Sequence, residues 1–307
     1  MQKINISENE APQRVDRFLC KYLNNAENSV VHRLLRKNIV RINGKRIKEN
    51  AILQVGDVLG ISLSQEQISQ LQKEKPPVCV QKSNLNIVYE DDEILVVDKP
   101  AGLLTHPDKS EYQNTLATHV RTYLCHLCTK TFSPAPIQRL DKNTSGLVMF
   151  AKTYNSLQFY NEQMRNRKIE KKYLAIVEGR IEKSGEIKGF LEKDEKRNKV
   201  FLSQDSSENS KFVHTQYVIK DVKDDFSLLE ITLCTGRSHQ IRVSMEYVGH
   251  PIVGDKKYNA RRRSEAALAA SNAQSKYQLL HAYKITLASG QIFESKSERI
   301  FEFWAGI

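Results

Sequence analysis

Residues 138–151, QRLDKNTSGLVMFA, join a polar turn to an apolar strand. Asp141, Ser145 and Gly146 favour the turn, because Asp and Ser side chains bond the nearby backbone and Gly accepts a positive φ. Residues 147–151 are apolar throughout, which is typical of a central strand. The sequence therefore predicts that the carboxylate of Asp141 lies on a loop held by a rigid sheet, a common position for catalytic groups. Taken alone, the same turn is also explained by structure without any catalytic role.

The chain around this stretch alternates short strands and helices in no regular order. Residues 93–98 form an apolar run typical of a buried strand, and the turn sequence Lys99-Pro100-Ala101-Gly102 ends it. Such mixed order favours an α+β domain over a doubly wound sheet. We assign residues 84–307 to this domain.

Residues 1–63 have the pattern of a separate small module. Two short amphipathic helices precede a hairpin over 39–47, whose Asn43-Gly44 pair favours a tight turn, and a last strand follows at 55–61. Residues 1–60 hold eleven Lys and Arg against six Asp and Glu, a net charge of +5. A basic surface of this kind can follow a phosphate backbone, although a solvated helix face has the same pattern. Its candidate RNA-binding residues are Arg33, Arg36, Lys37, Arg41, Lys45 and Arg46.

The whole chain is basic, with 47 Lys and Arg, 36 Asp and Glu, and a net charge of +11 over 307 residues. This excess favours a polyanionic partner, and by itself it fits nucleic acid and an acidic membrane surface equally. No run of about 18 apolar residues is present, and residues 1–12 lack the apolar core of a signal peptide. We therefore expect a cytoplasmic protein without membrane association.

The five cysteines do not predict a disulfide framework, because their number is odd and the chain is long. Cys125 and Cys128 flank His126, but no second pair at metal-ligand spacing accompanies them, so packing or exposed thiols are favoured over zinc. No metal site is expected. Residues 64–83 are rich in Gln and contain Pro76-Pro77, a composition that predicts a linker.

Two stretches of the N-terminal module resemble a known RNA-binding unit. RVDRFL at 14–19 and VHRLLRKNIVRINGKRIKENAILQVGD at 31–57 resemble the S4 module, over about residues 12–63. The resemblance implies contact with RNA. It does not identify a reaction, because such modules occur on unrelated RNA proteins.

The motif at 139–152, RLDKNTSGLVMFAK, resembles the HRLDxxTSG motif of the large pseudouridine synthase family that includes the rRNA enzymes. Gln138 stands where the family usually has His. KKYLAIVEG at 171–179 resembles the KxYLA motif, and LCTGRSHQIRV at 233–243 resembles TGRxHQIR. With the closing segments at 279–287, the resemblance spans about residues 86–303. It implies an α+β catalytic domain with a mixed, largely antiparallel sheet.

The resemblance also implies roles for single residues. Asp141 would be the nucleophile or base, attacking ribose C1′, adding to C6 of the base, or removing the 2′ proton. Arg237 would be the cation that keeps this carboxylate charged, while Arg242 of the same motif would be structural or face phosphate. Tyr173 would stack on the base, and Arg139 would fill the gap left by the extruded nucleotide.

The reaction implied by the family needs no metal or other cofactor. The likeness to members that modify several uridines of 23S rRNA makes that RNA the expected substrate, while the uridines themselves do not follow from the residues. No protein partner is implied, and we expect a monomer. Two alternatives remain: an inactive RNA-binding factor for ribosome assembly, and a hydrolase using Asp141 with one of the histidines His106, His239 and His281. We expect Arg261-Arg262-Arg263 and the Ala/Ser-rich run after it to form a surface loop.

Overall fold

The computed structural model describes residues 1–73, 84–194, 199–258 and 277–307. The predicted loop at 261–276 and most of the predicted linker, 74–83, lie outside these ranges. The linker begins later than expected, because residues Gln65–Gln70 form a helix that Ser64 caps and whose Ile68 is buried against the N-terminal module. No helix in the described ranges is both long and apolar enough to cross a bilayer.

The N-terminal module has a core of its own. Phe18, Leu19 and Leu35, from its two main helices, are almost fully buried together with strand residues such as Leu59. A four-stranded sheet in the order β1-β6-β3-β4 and a two-stranded sheet of β2 and β5 cover the helices. Its elements are β1 (Gln2–Asn5), β2 (Gln13–Arg14), α1 (Val15–Tyr22), α2 (Asn28–Arg36), β3 (Val40–Ile42), β4 (Lys45–Arg46), β5 (Ile52–Leu53), β6 (Val58–Ile61) and α3 (Gln65–Gln70).

The second part of the chain is built on an eleven-stranded sheet. Nine strands follow the order β13-β12-β14-β15-β11-β16-β10-β8-β7, while β17 pairs with β16 and β9 with β10. All pairings are antiparallel except that of β10 with β16, which confirms the predicted α+β class with a mixed, largely antiparallel sheet. The strands are β7 (Asn86–Glu90), β8 (Ile94–Lys99), β9 (Ala135–Pro136), β10 (Ser145–Ala151), β11 (Glu170–Glu178), β12 (Gly185–Asp194), β13 (Lys199–Ser203), β14 (Lys211–Lys223), β15 (Phe226–Leu233), β16 (Leu280–Thr286) and β17 (Ile292–Glu294).

Helices cover both faces of this sheet around β10. Every residue of β10 is buried: Val148 and Phe150 belong to one apolar cluster, and Leu147 and Met149 belong to the cluster on the other face. This explains the uninterrupted apolar run, since a strand covered on both faces needs no polar alternation. The helices are α4 (Leu116–Tyr123), a 3₁₀ turn (Cys125–Leu127), α5 (Tyr154–Arg165), α6 (Gln240–Tyr247) and α7 (Glu298–Gly306).

Gly146 allows β10 and β16 to approach closely. Its φ is +115°, and a Cβ at this position would lie 2.3 Å from the carbonyl oxygen of Ala282. Only glycine has both the conformational freedom and the space for this pairing. The parallel register of Gly146 with Ala282 therefore fixes the end of the turn that carries Asp141.

Acid is expected to weaken this junction through His281. The ring is 2% exposed, and its Nδ1 and Nε2 lie 2.9 and 2.8 Å from the hydroxyls of Ser145 and Ser295. Burial lowers its pKa from 6.5 to about 4. Between these values the unfolded chain binds a proton that the folded chain does not, so stability is complete above pH 6.5 and falls as the pH decreases to about 4. The largest loss is about 3 kcal/mol.

Urea unfolding of the wild type and of His281→Gln at pH 7.0, 5.5 and 4.5 measures this loss. The variant should show a flatter decrease of unfolding free energy with falling pH, whatever its stability at pH 7. Equal pH slopes for the two proteins would contradict the assignment.

Candidate active site

A cavity of about 900 Å³ opens beside β11 and the start of α6. Asp141, Tyr173, Arg139 and Arg237 all line it, so the structure brings the four candidate residues of this domain to one place. They come from three separate stretches of the chain. Within the described ranges, this cavity therefore brings Asp141 together with the other residues that the motifs predict for the active site.

Backbone contacts hold the loop that carries Asp141. The hydroxyl of Thr105 donates to the carbonyl of Leu140 at 2.9 Å and accepts from the N–H of Leu140 at 3.2 Å. On the other side of Asp141, the N–H of Thr144 donates to the carbonyl of Asp141 at 3.1 Å. The carboxylate therefore projects from a fixed backbone into the cavity.

Lys99 also holds this loop in place. Sequence analysis missed this role, because it treated residues 99–102 only as a turn. The side chain is fully buried, and Nζ donates to the carbonyls of Pro100, Leu103 and Lys142 at 2.9, 2.8 and 3.0 Å. Burial lowers its pKa to about 7, but three acceptors occupy all three ammonium hydrogens and stabilise the charged form. A lysine at the end of a buried apolar strand was the available signal.

Arg242, and not Arg237, pairs with the carboxylate. Nη1 of Arg242 lies 2.9 Å from Oδ2 of Asp141. Arg237, in contrast, is exposed and contacts Gln240 through its backbone N–H and carbonyl groups. The predicted pairing of Arg237 with Asp141 is therefore wrong. The reason is where α6 begins: Gln240 is its first residue, so Arg242 lies in its first turn, and Arg237 stays in the preceding loop.

Asp255 holds Arg242 in place from the opposite side. Its carboxylate is 1% exposed and receives both Nε and Nη2 of Arg242, at 2.6 and 2.9 Å. The backbone N–H groups of Lys257 and Tyr258 also donate to it. Burial alone would lower the pKa of Arg242, but the hydrogen bonds and charges of Asp255 and Asp141 outweigh burial and raise it. The guanidinium thus stays charged and bridges two carboxylates.

Tyr173 is buried in the cavity wall on β11, at 6% exposure. The pairing of β11 with β16 shifts register between Lys172 and Tyr173, so a bulge lies directly beside this side chain. Burial and then the charge of Asp141 raise the pKa of Tyr173 far above its usual range. The phenol is therefore protonated at neutral pH, which suits a stacking or donor role better than that of a base.

The histidines do not form a hydrolase site with Asp141. His239 Nε2 lies 3.9 Å from Asp141 Oδ2, beyond hydrogen-bond reach, and its Nδ1 pairs with the hydroxyl of Tyr258 at 2.7 Å. His281 is buried between two serines at the β10–β16 junction. His106 is outside the cavity lining, and burial lowers its pKa.

Gln138, at the position where the chain departs from the family motif, also lines the cavity. Both polar atoms of its amide are buried and have no hydrogen-bond partner within the described ranges. Arg139 next to it is exposed. The neutral amide therefore adds no titrating group at the cavity wall.

The described residues contain no group of three His, Cys, Asp or Glu side chains placed to hold a metal ion. Cys125 is exposed and Cys128 is half-buried, and both are free thiols.

The six basic residues predicted for the N-terminal module are all exposed. Arg36 has a carboxylate nearby, since its Nε lies 3.6 Å from Glu49 Oε1. The module contacts the second part of the chain through Glu10, whose buried carboxylate accepts a hydrogen bond from the hydroxyl of Thr131 at 3.0 Å. The surface formed by the six exposed basic residues is separate from the cavity lining. It comprises Arg33, Arg36, Lys37, Arg41, Lys45 and Arg46.

The comparisons of this chain with known proteins agree on one family. The model of the RNA pseudouridylate synthase family matches residues 93–247. "Uncharacterized RNA pseudouridine synthase YlyB" of Bacillus subtilis is 32% identical, over 84% of this chain and 83% of that protein. "Ribosomal large subunit pseudouridine synthase C" of Buchnera aphidicola is 34% identical, over 84% of this chain and 81% of that protein.

A solved structure supports the fold. Human RNA Pseudouridylate Synthase Domain Containing 4 superposes with a TM-score of 0.59 at 22% identity, over 72% of this chain and 92% of that chain.

Proposed function

Because this chain belongs to the RNA pseudouridylate synthase family and isomerises uridine to pseudouridine in RNA, we propose that its substrate is 23S ribosomal RNA and Asp141 its reacting group. The observation that carries the role of Asp141 is its ion pair with Arg242 in the wall of the cavity. Relatives named Ribosomal large subunit pseudouridine synthase C support the ribosomal target. A cytoplasmic location follows from such a target.

The reaction requires a charged carboxylate in a site that excludes water. The N1–C1′ bond of uridine breaks, the base rotates, C5 bonds to C1′, and the proton at C5 is lost while N1 gains one. Attack on C1′, addition to C6 and removal of the 2′ proton all begin from ionised Asp141. The guanidinium of Arg242, 2.9 Å from Oδ2 of Asp141, places a positive charge beside this carboxylate.

The other cavity residues hold the nucleotide. Tyr173 presents a buried aromatic ring, which can pack against the face of the uracil while it rotates. Arg139 is exposed beside Asp141, where its planar guanidinium can take the place of the extruded base in the RNA stack.

The ribosomal target is tested in a strain that lacks the gene. Carbodiimide labelling and primer extension along 23S rRNA should show stops that disappear on deletion, return with the wild-type gene, and stay absent with Asp141→Asn. Unchanged stops on deletion would exclude 23S rRNA as the substrate. Stops restored equally by the variant would leave only a non-catalytic role in RNA binding.

We propose that the N-terminal module is an S4 RNA-binding module that contacts phosphates through its exposed cations. Replacing Arg33, Arg41 and Arg46 by Gln should reduce the slope of log affinity against log salt by roughly 0.7–0.9 for each phosphate that is no longer neutralised. The triple variant Lys183→Gln, Lys220→Gln, Lys296→Gln removes three exposed cations outside the module and serves as the matched control. Equal salt slopes for the two triple variants would contradict the proposal.

A further inference from the structure

Lys171 is a cation of the active-site cavity that has no counter-ion among the described residues. It lies on β11, two residues before Tyr173, and lines the same cavity. Within the described ranges its ammonium makes no ion pair and no hydrogen bond. The next residue differs: Nζ of Lys172 lies 3.0 Å from Glu230 Oε1 and 3.7 Å from Glu170 Oε1.

Because the Lys171 side chain is partly buried, its lack of a partner in the described ranges is significant. The Lys171 side chain is partly buried, and this burial is the cause that lowers its pKa. A charge withdrawn from water without a partner is costly for the folded protein, so a cation in such a position is expected to serve a ligand. Lys99, the fully buried lysine of this region, has three carbonyl acceptors in the protein itself.

The loop before α6 passes close to the ammonium of Lys171. A Cβ on Gly236 would be 3.5 Å from Nζ of Lys171, so the backbone of this loop approaches the charge closely. Arg237, the next residue, lines the cavity with its side chain free of ion pairs in the described ranges. Lys171 and Arg237 therefore both line the cavity, and the backbone that leads into Arg237 passes close to the Lys171 ammonium at Gly236.

The charge of the cavity lining as a whole also favours a negatively charged ligand. Arg165 and Arg167 also line the cavity without a carboxylate partner in the described part of the chain. Of the two carboxylates in the lining, Asp141 is paired with Arg242 and Glu170 lies near Lys172. The wall formed by these cations thus carries an excess of positive charge and offers donors without acceptors, which suits an anion better than a nucleobase.

We propose that Lys171 and Arg237, which line the same cavity, form a subsite for a backbone phosphate next to the target uridine. This inference rests on the proposed function, because it takes RNA as the ligand. It gives Arg237 a role in place of the carboxylate pairing that Arg242 fulfils. Since Lys171 and Tyr173 are two residues apart on one strand, about 7 Å, they can hold the phosphate and the base of a single nucleotide.

The test couples one side chain to one phosphate. A set of stem-loop RNAs from 23S rRNA, each with one phosphate replaced by a neutral methylphosphonate, is titrated against wild type, Lys171→Met and Lys172→Met. Lys171→Met should weaken binding of the unmodified RNA by about 10- to 100-fold, as expected for the loss of a charged hydrogen bond. At one position the methylphosphonate should weaken wild-type binding by a similar factor and leave binding by Lys171→Met unchanged.

Lys172→Met is the matched control, since it removes a neighbouring lysine that already has carboxylate partners. It should bind like the wild type and retain the phosphate effect. If Lys171→Met and each methylphosphonate weakened RNA binding by independent factors that multiply, the subsite would be overturned. Equal affinity of Lys171→Met and Lys172→Met for the unmodified RNA would also overturn it.

Stability separates this role from a structural one. Removing a partly buried cation that has no partner should leave the melting temperature of the free protein unchanged or raise it, whereas a lysine that supports the loop would lower it. Pseudouridine formation is followed in the same RNAs. Absence of product with the wild type would contradict the proposed function, while the binding data would still decide the subsite.

Discussion

Asp141→Asn should abolish pseudouridine formation while leaving the folded protein and its RNA affinity nearly unchanged. Asn has the shape of Asp and keeps an oxygen for Arg242, but it has no negative charge to attack or to accept a proton. Loss of a reacting group of this kind reduces turnover by about 10⁴-fold or more. Single-turnover assays with a 23S rRNA fragment, followed by mass spectrometry of the product nucleosides, measure the loss.

Two controls give this result its meaning. The dissociation constant for the RNA should change by only a few-fold, and the urea midpoint should change little, because Arg242 keeps its bidentate pair with Asp255 in this variant. Turnover within tenfold of the wild type would show that the Asp141 carboxylate does not react. Loss of RNA binding together with turnover would show that the variant damages the site rather than the chemistry.

Arg242→Met should affect both stability and activity. It leaves the carboxylate of Asp255, 1% exposed, without its bidentate partner, and Asp141 without its cation. Breaking a buried ion pair by removing one member costs about 3–5 kcal/mol of unfolding free energy. Turnover should fall by about 10²- to 10³-fold, since the reacting carboxylate loses the positive charge beside it.

A second substitution separates the two effects. In Arg242→Met/Asp255→Asn the neutral amide removes the unpaired charge, so part of the lost stability should return, but turnover should not. Arg242→Lys should also remain impaired, because one ammonium cannot replace a guanidinium that spans two carboxylates. Urea unfolding and single-turnover assays on the same preparations give both quantities. Recovery of turnover in the double variant would mean that Arg242 acts only through the fold.

Several features of this protein are determined by residues that are close together in the sequence. The turn at Asp141 follows from residues adjacent in the chain, and the apolar run of β10 follows from burial on both faces. The cavity was also foreseeable in part, because the motifs of Asp141 and Tyr173 resemble those of one family. The exposed cations of the N-terminal module followed from helix periodicity and a hairpin turn. Each of these features depends on neighbours within a few residues.

The tertiary structure decided which charges meet. Arg237 and Arg242 stand five residues apart in one motif, and only the start of α6 and the buried Asp255 place Arg242 against a carboxylate about a hundred residues earlier. Lys171 and Lys172 are adjacent and identical in type, yet one lies in the cavity and the other pairs with Glu230. Ion pairs between distant segments depend on distances of a few ångströms. Local patterns do not encode such distances, because packing of the whole sheet and its helices sets them.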